Sequence, residues 1–236
     1  MTKAVVLAGG LGTRLRSAVP DLPKPMAPVN NRPFLAYLLD YWIEQGIDGF
    51  VLSVGYRHEV IMDWFGTTYR GVPLHYAIEH EPLGTGGAFA LAATQCPKGQ
   101  PVLLLNGDTF FAVDPGVLQT AALDCRADVC LSLFPTRDRE RYMGVARDRD
   151  GLIVSLKSAV HDGPHLANGG VYWFTPAMLD RVVGGQGACS LENDLFPAWL
   201  AAGLRIAGVE FEAPFIDIGV PDDYHRAGNV VFHGVR

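Results

Sequence analysis

The chain has 236 residues, of which 49% are hydrophobic and 19% charged, and its formal net charge at pH 7 is -6. This composition supplies a sizeable core and excludes a disordered chain. A negatively charged chain without a basic run also excludes a nucleic-acid surface, which needs clustered Lys and Arg.

The spacing of the cysteines and the hydropathy of the chain indicate in which cellular compartment the protein is expected. The chain contains 4 cysteines, and none forms a C-x-x-C pair. We therefore expect neither a cysteine metal site nor a disulfide framework. No apolar segment approaches the length of a membrane span, and the first residues do not resemble a signal peptide. These features predict a cytoplasmic protein without a membrane partner.

Short apolar runs alternate with helix-length amphipathic segments in the first half of the chain. The apolar runs predict strands over Ala4–Ala8, Phe50–Val54, Leu74–Ile78 and Val102–Asn106. The segments between them predict helices over Pro33–Gln45, Arg57–Phe65 and Gly84–Thr94. This rhythm predicts a Rossmann-like α/β fold, with a mostly parallel sheet flanked by helices. In such sheets ligands bind at the carboxyl ends of the strands.

The second half is more mixed, and turn signals separate several of its strands. Strands are predicted over Val129–Phe134, Val145–Ala146, Ile153–Leu156, Val171–Phe174 and Ile206–Phe211. Helices are predicted over Leu191–Ala202 and Asp222–Val231. Because neither a repeat nor a linker divides the chain, we expect one domain over residues 1–236 with a small additional lobe.

A glycine-rich turn, LAGGLGTRL, follows the first predicted strand at Leu7–Leu15. Glycines let backbone N–H groups point at a phosphate without obstruction by Cβ atoms. The spacing fits neither the Walker motif nor the dinucleotide fingerprint, since the Lys-Ser/Thr pair and the third glycine are missing. Arg14 follows the loop, and its guanidinium can hold phosphate oxygens bidentately. We therefore favour a phosphate site over an ordinary tight connection.

Lys24 stands between Pro23 and Pro25, which predicts a stiff, extended backbone. A surface lysine rarely needs such stiffening, whereas a lysine aimed at a phosphate benefits from preorganisation. Its position ten residues after Arg14 favours the phosphate interpretation.

A second glycine-rich segment, EHEPLGTGGA, begins at Glu79 and leads into a predicted helix near Gly84. Beside the first loop, it would let a nucleobase lie against the backbone. A carboxylate at Glu79 could accept both the N1–H and N2–H₂ donors of guanine, whereas uracil offers one donor flanked by acceptors. The alternative is that Glu79 is a solvated strand end.

Two acids follow apolar runs. Asp108 ends the segment Asn106-Gly107-Asp108 after a fully apolar strand, and Asp217 stands in Phe215-Ile216-Asp217-Ile218-Gly219. A carboxylate at the carboxyl end of a buried parallel strand suits Mg²⁺, and a second could complete the site. Either acid could instead be a turn or capping residue.

In their order along nearly the whole chain, these motifs resemble the sugar 1-phosphate nucleotidyltransferase family. The segments Lys24–Asn30, Ser53–Ile61 and Asn106–Phe111 are most similar to the family's heptose 1-phosphate guanylyltransferases, which supply bacterial surface polysaccharides. The resemblance implies the nucleotide-diphospho-sugar transferase fold, Mg²⁺ as cofactor, and a nucleoside triphosphate and a sugar 1-phosphate as substrates, with GTP favoured. Homo-oligomers are common among such enzymes.

The resemblance also implies roles for individual residues. Residues 1–125, approximately, would bind the nucleotide and residues 126–236 the sugar phosphate. The nucleotide would contact Leu7, Ala8, Gly9, Gly10, Gly12, Thr13, Arg14, Glu79, Pro82, Gly84, Thr85, Asn106 and Gly107. The sugar phosphate would contact Lys24, Gly144, Lys157, Asn168, Gly169, Glu192 and Asp194. Arg14, Lys24 and Asp108 would be catalytic, and Asp108 and Asp217 would bind Mg²⁺.

Two of these sugar-side assignments have alternatives. Many family members carry a Glu-Lys pair after the strand that matches Ile153–Leu156, whereas this chain reads Ser155-Leu156-Lys157-Ser158-Ala159. Lys157 would then serve from a displaced position. Glu192 and Asp194 could instead simply charge the first turn of a helix that begins near Ser190.

Other functions compete with this interpretation. The same chemistry could use mannose 1-phosphate with GTP, or another sugar 1-phosphate with UTP. A catalytically silent regulatory homologue should have lost Arg14, Lys24 or Asp108, and all three are present. A nicotinamide-dependent dehydrogenase needs a third glycine and an acid after the second strand, where Ser53-Val54-Gly55 stands.

Overall fold

The structure, a computed structural model, describes residues 2–10, 12, 15, 19–158, 163–185 and 187–234. Its strands are β1 (Thr2–Leu7), β2 (Pro28–Val29), β3 (Arg32–Pro33), β4 (Ile47–Val54), β5 (Thr68–Tyr69), β6 (Val72–Ile78), β7 (Val102–Asn106), β8 (Thr109–Phe111), β9 (Val129–Thr136), β10 (Gly144–Arg147), β11 (Ile153–Ser158), β12 (His165–Phe174), β13 (Ile206–Glu210) and β14 (Phe215–Asp217). Its helices are α1 (Phe34–Glu44), α2 (His58–Phe65), α3 (Gly84–Ala93), α4 (Pro115–Asp124), α5 (Pro176–Val183), α6 (Phe196–Ala201) and α7 (Pro221–Gly234). A 3₁₀ turn covers Lys24–Met26, and a π-helical turn covers Leu191–Leu195.

The main sheet has the strand order β11-β10-β12-β7-β1-β4-β6-β5. Strands β7, β1, β4 and β6 are parallel, and β12 runs antiparallel to β7. Consecutive buried side chains along β4 and β7 reflect a sheet that is covered on both faces. The prediction of a mostly parallel mixed sheet flanked by helices is confirmed.

A small lobe is built on the second half of the chain. Strand β9 pairs with β12 and β13, while the hairpin β10–β11 attaches to the first half of β12. The hairpin folds back onto β13, because Leu152 forms an antiparallel bridge with Ala207 and the Gly208 N–H donates to the Gly151 carbonyl over 3.0 Å. The sheet of this lobe therefore returns on itself.

Helix α1 shows why the predicted elements form where they do. Pro33 immediately precedes its first residue, and Gly46 beyond its end has a φ of +86°, which glycine adopts without strain. Its apolar face, including Phe34, Leu38 and Trp42, is fully buried in the core. The helix is therefore fixed by its boundaries and by one wide apolar face.

Some elements differ from the sequence expectations. The sequence patterns did not predict α4 and α5, although each begins at a proline after an N-cap residue, Asp114 or Thr175, whose side chain accepts a backbone N–H. The single helix predicted over Leu191–Ala202 is wrong in its first part, which forms the π-helical turn. There the Leu195 N–H donates to the Ser190 carbonyl, so the turn is one residue wider than an α turn.

Within the described residues, no helix is long and apolar enough to cross a membrane. Each cysteine lies in that part of the chain and is a free thiol, as its spacing predicted.

Candidate active site

The four parallel strands end at one edge of the sheet, and the loops after them form a cleft of about 690 Å³. The cleft is lined by Leu7, Gly9, Gly10, Gly55, Tyr56, His58, Glu79, His80, Glu81, Pro82, Gly84, Thr85, Ala88, Asn106 and Asp108. The fold thus brings together both glycine-rich segments and the acid after β7, as the sequence predicted. Ala8 and Gly107 tie the strand ends together, since their N–H groups donate to Ser53 O over 2.8 Å and Leu7 O over 2.9 Å.

The first glycine loop packs closely on its surroundings. A Cβ atom on Gly9 would collide with Glu79 Oε1 and lie 3.2 Å from the Gly55 nitrogen. Gly12, with a φ of +58°, packs on the Lys24 side chain. Around Gly10 the space is open, which leaves that part of the loop free to approach a ligand. Thr13 and Arg14 lie outside the described residues, so their roles stay predictions.

We expect Gly9→Ala to lower the free energy of unfolding by about 1 kcal/mol or more, because the new methyl group forces Glu79 to give up a hydrogen bond. Urea unfolding of the two variants Gly9→Ala and Gly10→Ala provides a matched comparison. Gly10→Ala, which meets open space, should change stability by less than about 0.5 kcal/mol. Equal stability losses in both variants would contradict the close approach at Gly9.

Glu79 is a half-buried carboxylate held from two sides. The Ser53 hydroxyl donates to Oε1 over 3.1 Å, and the Leu83 N–H donates to Oε2 over 3.3 Å. Burial raises the pKa of the Glu79 carboxyl above its ordinary value, and the two hydrogen bonds oppose this rise. The structure therefore favours a positioned acceptor at the cleft over a solvated strand end.

Lys24 and the two acids predicted to bind metal meet at one point. Lys24 Nζ contacts Asp108 Oδ2 and lies 3.8 Å from Asp217 Oδ1. Asp217 arrives there because β14 pairs antiparallel with β8, which places Asp217 opposite Thr109. The Ile218 N–H then donates to the Asp108 carbonyl over 3.0 Å. A short two-stranded sheet thus joins distant parts of the chain at the site.

The extended backbone predicted for Lys24 is wrong. Pro23 is extended, with φ -57° and ψ 141°, but Lys24–Met26 form a 3₁₀ turn in which the Met26 N–H donates to the Pro23 carbonyl over 2.8 Å. A proline is tolerated in the first turn of a helix because its missing N–H would have no partner there. Pro25 and Met26 are buried, so packing of the turn fixes the lysine.

The carboxylates of Asp108 and Asp217 face one cation position, which the Lys24 ammonium now occupies. In the described part of the chain, no group of three or more His, Cys, Asp or Glu side chains could hold a metal. Two hard oxygen donors suit Mg²⁺, which usually takes one or two carboxylates and completes its shell with phosphates and water. These residues therefore fit the predicted ion.

Arg141 is a residue of this site that the sequence did not reveal. Its Nη2 lies 3.0 Å from Asp217 Oδ2 and donates to the Asp217 carbonyl over 2.8 Å. Its Nη1 contacts the buried carboxylate of Asp223, which Arg226 also contacts. Asp217 is thus held between two cations. Only its position shortly before Gly144, a predicted sugar-site residue, could have drawn attention to Arg141.

The predicted sugar-binding residues lie around a break in the pairing of β12 with β9, between Asn168 and Tyr172. The Asn168 amide donates to the Tyr172 hydroxyl over 2.8 Å, and that hydroxyl donates to Glu192 Oε1 over 3.4 Å. Only glycine fits at position 169, because a Cβ atom there would lie 2.5 Å from the Phe111 ring. Asn168, Gly169 and Glu192 therefore belong to one packed group.

The family model described as nucleotidyl transferase matches residues 3–232. The chain belongs to this family. It is 40% identical over 231 residues to a D-glycero-alpha-D-manno-heptose 1-phosphate guanylyltransferase from Aneurinibacillus thermoaerophilus, which covers 98% of this chain and 99% of the relative. It is 39% identical over 224 residues to the enzyme of the same name from Campylobacter jejuni, covering 95% and 97%.

Solved structures have the same architecture. HddC from Yersinia pseudotuberculosis, solved in complex with GMP-PN, superposes with a TM-score of 0.84 at 32% identity and covers 97% of this chain and 99% of that chain. A putative glucose-1-phosphate thymidylyltransferase from Bacillus anthracis, at 18% identity, has the same fold with a TM-score of 0.82. The nucleotide-diphospho-sugar transferase fold expected from the sequence is confirmed. The family match excludes the alternative of a nicotinamide-dependent dehydrogenase.

The other predicted sugar-binding residues of this nucleotidyl transferase, Asp194, Gly144 and Lys157, lie in three different surroundings. Asp194 Oδ2 accepts the Ser190 N–H over 2.7 Å while Ser190 Oγ accepts the Asn193 N–H over 3.1 Å, a reciprocal helix cap. Asp194 lies in the first turn after Ser190, where the alternative interpretation placed it, and it also caps that turn. Gly144 is buried at the start of β10. Lys157 is exposed on β11, and its role stays a prediction.

Proposed function

We propose that this protein transfers GMP from GTP to D-glycero-D-manno-heptose 1-phosphate and releases GDP-heptose and pyrophosphate. The observation that carries the proposal is the Glu79 carboxylate, held at a nucleotide-sized cleft, in a chain that matches heptose 1-phosphate guanylyltransferases along its length. We further propose that the reaction takes place in the cytoplasm and supplies heptose for a surface polysaccharide such as a capsule or lipopolysaccharide.

In this reaction a sugar 1-phosphate oxygen attacks the α-phosphorus in line, and pyrophosphate leaves. The nucleophile is already an anion, so a general base is not required. The task of the protein is to position two anions and to neutralise their charge. The Lys24 ammonium, fixed by its buried turn, is the described cation best placed to move from Asp108 to the reacting phosphates.

Asp108 and Asp217 would hold Mg²⁺, which supplies additional positive charge at the phosphate oxygens. Arg141 keeps Asp217 in place through Oδ2, while Lys24 lies nearer to Oδ1. The open backbone at Gly10 lets the glycine loop approach the triphosphate, and Arg14 would hold the leaving pyrophosphate.

Glu79 is proposed to select guanine, and Glu79→Gln tests this directly. The glutamine keeps the shape but replaces one acceptor oxygen by a donor NH₂, which opposes the donors of guanine. We expect kcat/KM for GTP to fall roughly ten- to a hundredfold, the cost of a lost hydrogen bond to a charged group. Steady-state kinetics with GTP and ATP, measured by pyrophosphate release, would show the change.

The exposed acid Glu44, at the end of α1, pairs with Arg70 and does not line the cleft, so Glu44→Gln is the matched control and should leave kcat/KM for GTP nearly unchanged. A pH titration adds a second readout. Guanine donors favour the charged carboxylate, whereas burial raises the pKa of Glu79 in the free protein. GTP binding should therefore weaken as the pH falls through that raised pKa, and Glu79→Gln should lose this dependence. Equal kinetics in both variants would remove Glu79 from base recognition.

The substrate pair is tested by pyrophosphate release in the presence of Mg²⁺. GTP, UTP, dTTP, CTP and ATP are each combined with D-glycero-D-manno-heptose 1-phosphate and with mannose 1-phosphate. We expect release with GTP and the heptose phosphate. Preference for mannose 1-phosphate or for UTP would replace the proposed substrates by those alternatives, and absence of release with every pair would favour a silent homologue.

A further inference from the structure

Thr85 belongs to the second glycine-rich segment, in the nucleotide-binding half, yet its hydroxyl forms hydrogen bonds with residues of the second half of the chain. Thr85 Oγ1 donates to Glu192 Oε2 over 2.8 Å and accepts the Leu191 N–H over 2.8 Å. Thr85 and Glu192 are 107 positions apart in the sequence, and Thr85 and Leu191 are 106 apart. The hydroxyl is therefore fixed between the first turn of α3 and the π-helical turn.

The Glu192 carboxylate is almost fully engaged within the protein. Oε2 also accepts the Ser190 hydroxyl over 3.1 Å, and Oε1 accepts the Tyr172 hydroxyl over 3.4 Å. Tyr172 is fully buried, and burial together with the nearby Glu192 raises the pKa of its phenol well above the ordinary value, so it remains a donor. A carboxylate offers about four acceptor positions. Three are taken by these hydroxyls, and among the described residues the fourth position, on Oε1, has no partner.

Backbone contacts join the same two segments. The Gly86 N–H donates to the Cys189 carbonyl over 2.9 Å, and the Cys189 N–H donates to the Leu83 carbonyl over 2.9 Å. A Cβ on Gly84 would lie 2.5 Å from that Cys189 carbonyl oxygen. The nucleotide loop is thus joined by backbone hydrogen bonds and close packing to the segment that bears Glu192.

We propose that Thr85 is a positioning residue that aims Glu192 at a hydroxyl of the sugar 1-phosphate. The nucleotide loop thereby sets the geometry of the sugar site, in addition to any contact it makes with the nucleotide. This inference rests on the proposed function, because it takes the sugar 1-phosphate as the ligand of Glu192.

Thr85→Val removes the hydroxyl and keeps the volume, whereas Thr85→Ser keeps the hydroxyl. We expect Thr85→Val to raise KM for the sugar 1-phosphate about tenfold, with KM for GTP changed less than about twofold, and Thr85→Ser to restore the wild-type value. Thr94→Val is the matched control, because Thr94 follows the last residue of the same helix and its hydroxyl donates to the Leu91 carbonyl of that helix. It should leave both constants unchanged.

A double-mutant cycle with Glu192→Gln separates positioning from general damage. If Thr85 acts through Glu192, adding Thr85→Val to Glu192→Gln should produce little further rise in KM for the sugar. Additive effects, equal rises in both KM values, or failure of Thr85→Ser to restore sugar binding would overturn the inference. If wild-type protein is inactive with heptose 1-phosphate, the proposed function is overturned instead. The double-mutant cycle is then measured with the sugar 1-phosphate that wild-type protein accepts.

Discussion

Lys24→Ala should lower kcat by at least about a hundredfold, which corresponds to about 3 kcal/mol of transition-state stabilisation. Lys24 is the cation at the point where Asp108 and Asp217 meet, and its side chain is only 10% exposed. No water molecule can replace a preorganised charge of this kind. The measurement is steady-state pyrophosphate release at saturating GTP and sugar 1-phosphate.

Lys3→Ala is the control for Lys24→Ala, because Lys3 forms an ion pair with Asp48 (3.4 Å) at the opposite end of β1. It should keep its turnover. Circular dichroism of both variants checks that they are folded. Near-native turnover in Lys24→Ala would remove this lysine from catalysis and leave it a structural partner of the two acids.

Asp108→Asn should also reduce kcat by about a hundredfold or more, and it should raise the Mg²⁺ concentration required for half-maximal rate. The amide keeps the shape of the side chain but removes the charge that faces Lys24 and the cation position. The Thr109 hydroxyl donates to Asp108 Oδ1 over 3.2 Å, so the side chain should keep its orientation. A Mg²⁺ titration of the initial rate separates the two effects.

The exposed acid Asp124, at the end of α4, supplies the matched variant Asp124→Asn, which should change neither kcat nor the Mg²⁺ requirement. A variant Asp108→Asn with lowered kcat but an unchanged Mg²⁺ requirement would assign Asp108 to holding Lys24 rather than to the metal.

The cleft could be predicted from the sequence because its parts follow strands that have simple patterns. Buried parallel strands appear as continuous apolar runs, and their carboxyl ends share one edge of the sheet. The positions of Gly9, Glu79 and Asp108 at that edge therefore followed from local patterns. The same reasoning predicted α1, whose apolar face and boundaries agree with each other.

The contacts that complete the site could not be predicted in this way. Asp217 meets Asp108 only because two strands of three residues each, β8 and β14, pair across the chain, and such short strands have no distinct period. Arg141 and the link from Thr85 to Glu192 depend on tertiary packing alone. The backbone at Lys24 was predicted wrongly because flanking prolines fit a short helical turn as well as an extended segment.

The return of the lobe sheet onto β13 has a consequence for self-association. Exposed strand edges are templates for pairing with other chains, and natural proteins shield them. Here the bridge between Leu152 and Ala207 shields one side of the sheet. On the other side, Pro73 lacks an N–H, and the Gln95 amide donates to the Tyr76 carbonyl over 3.0 Å. Edge-to-edge aggregation is therefore disfavoured at both margins of the sheet.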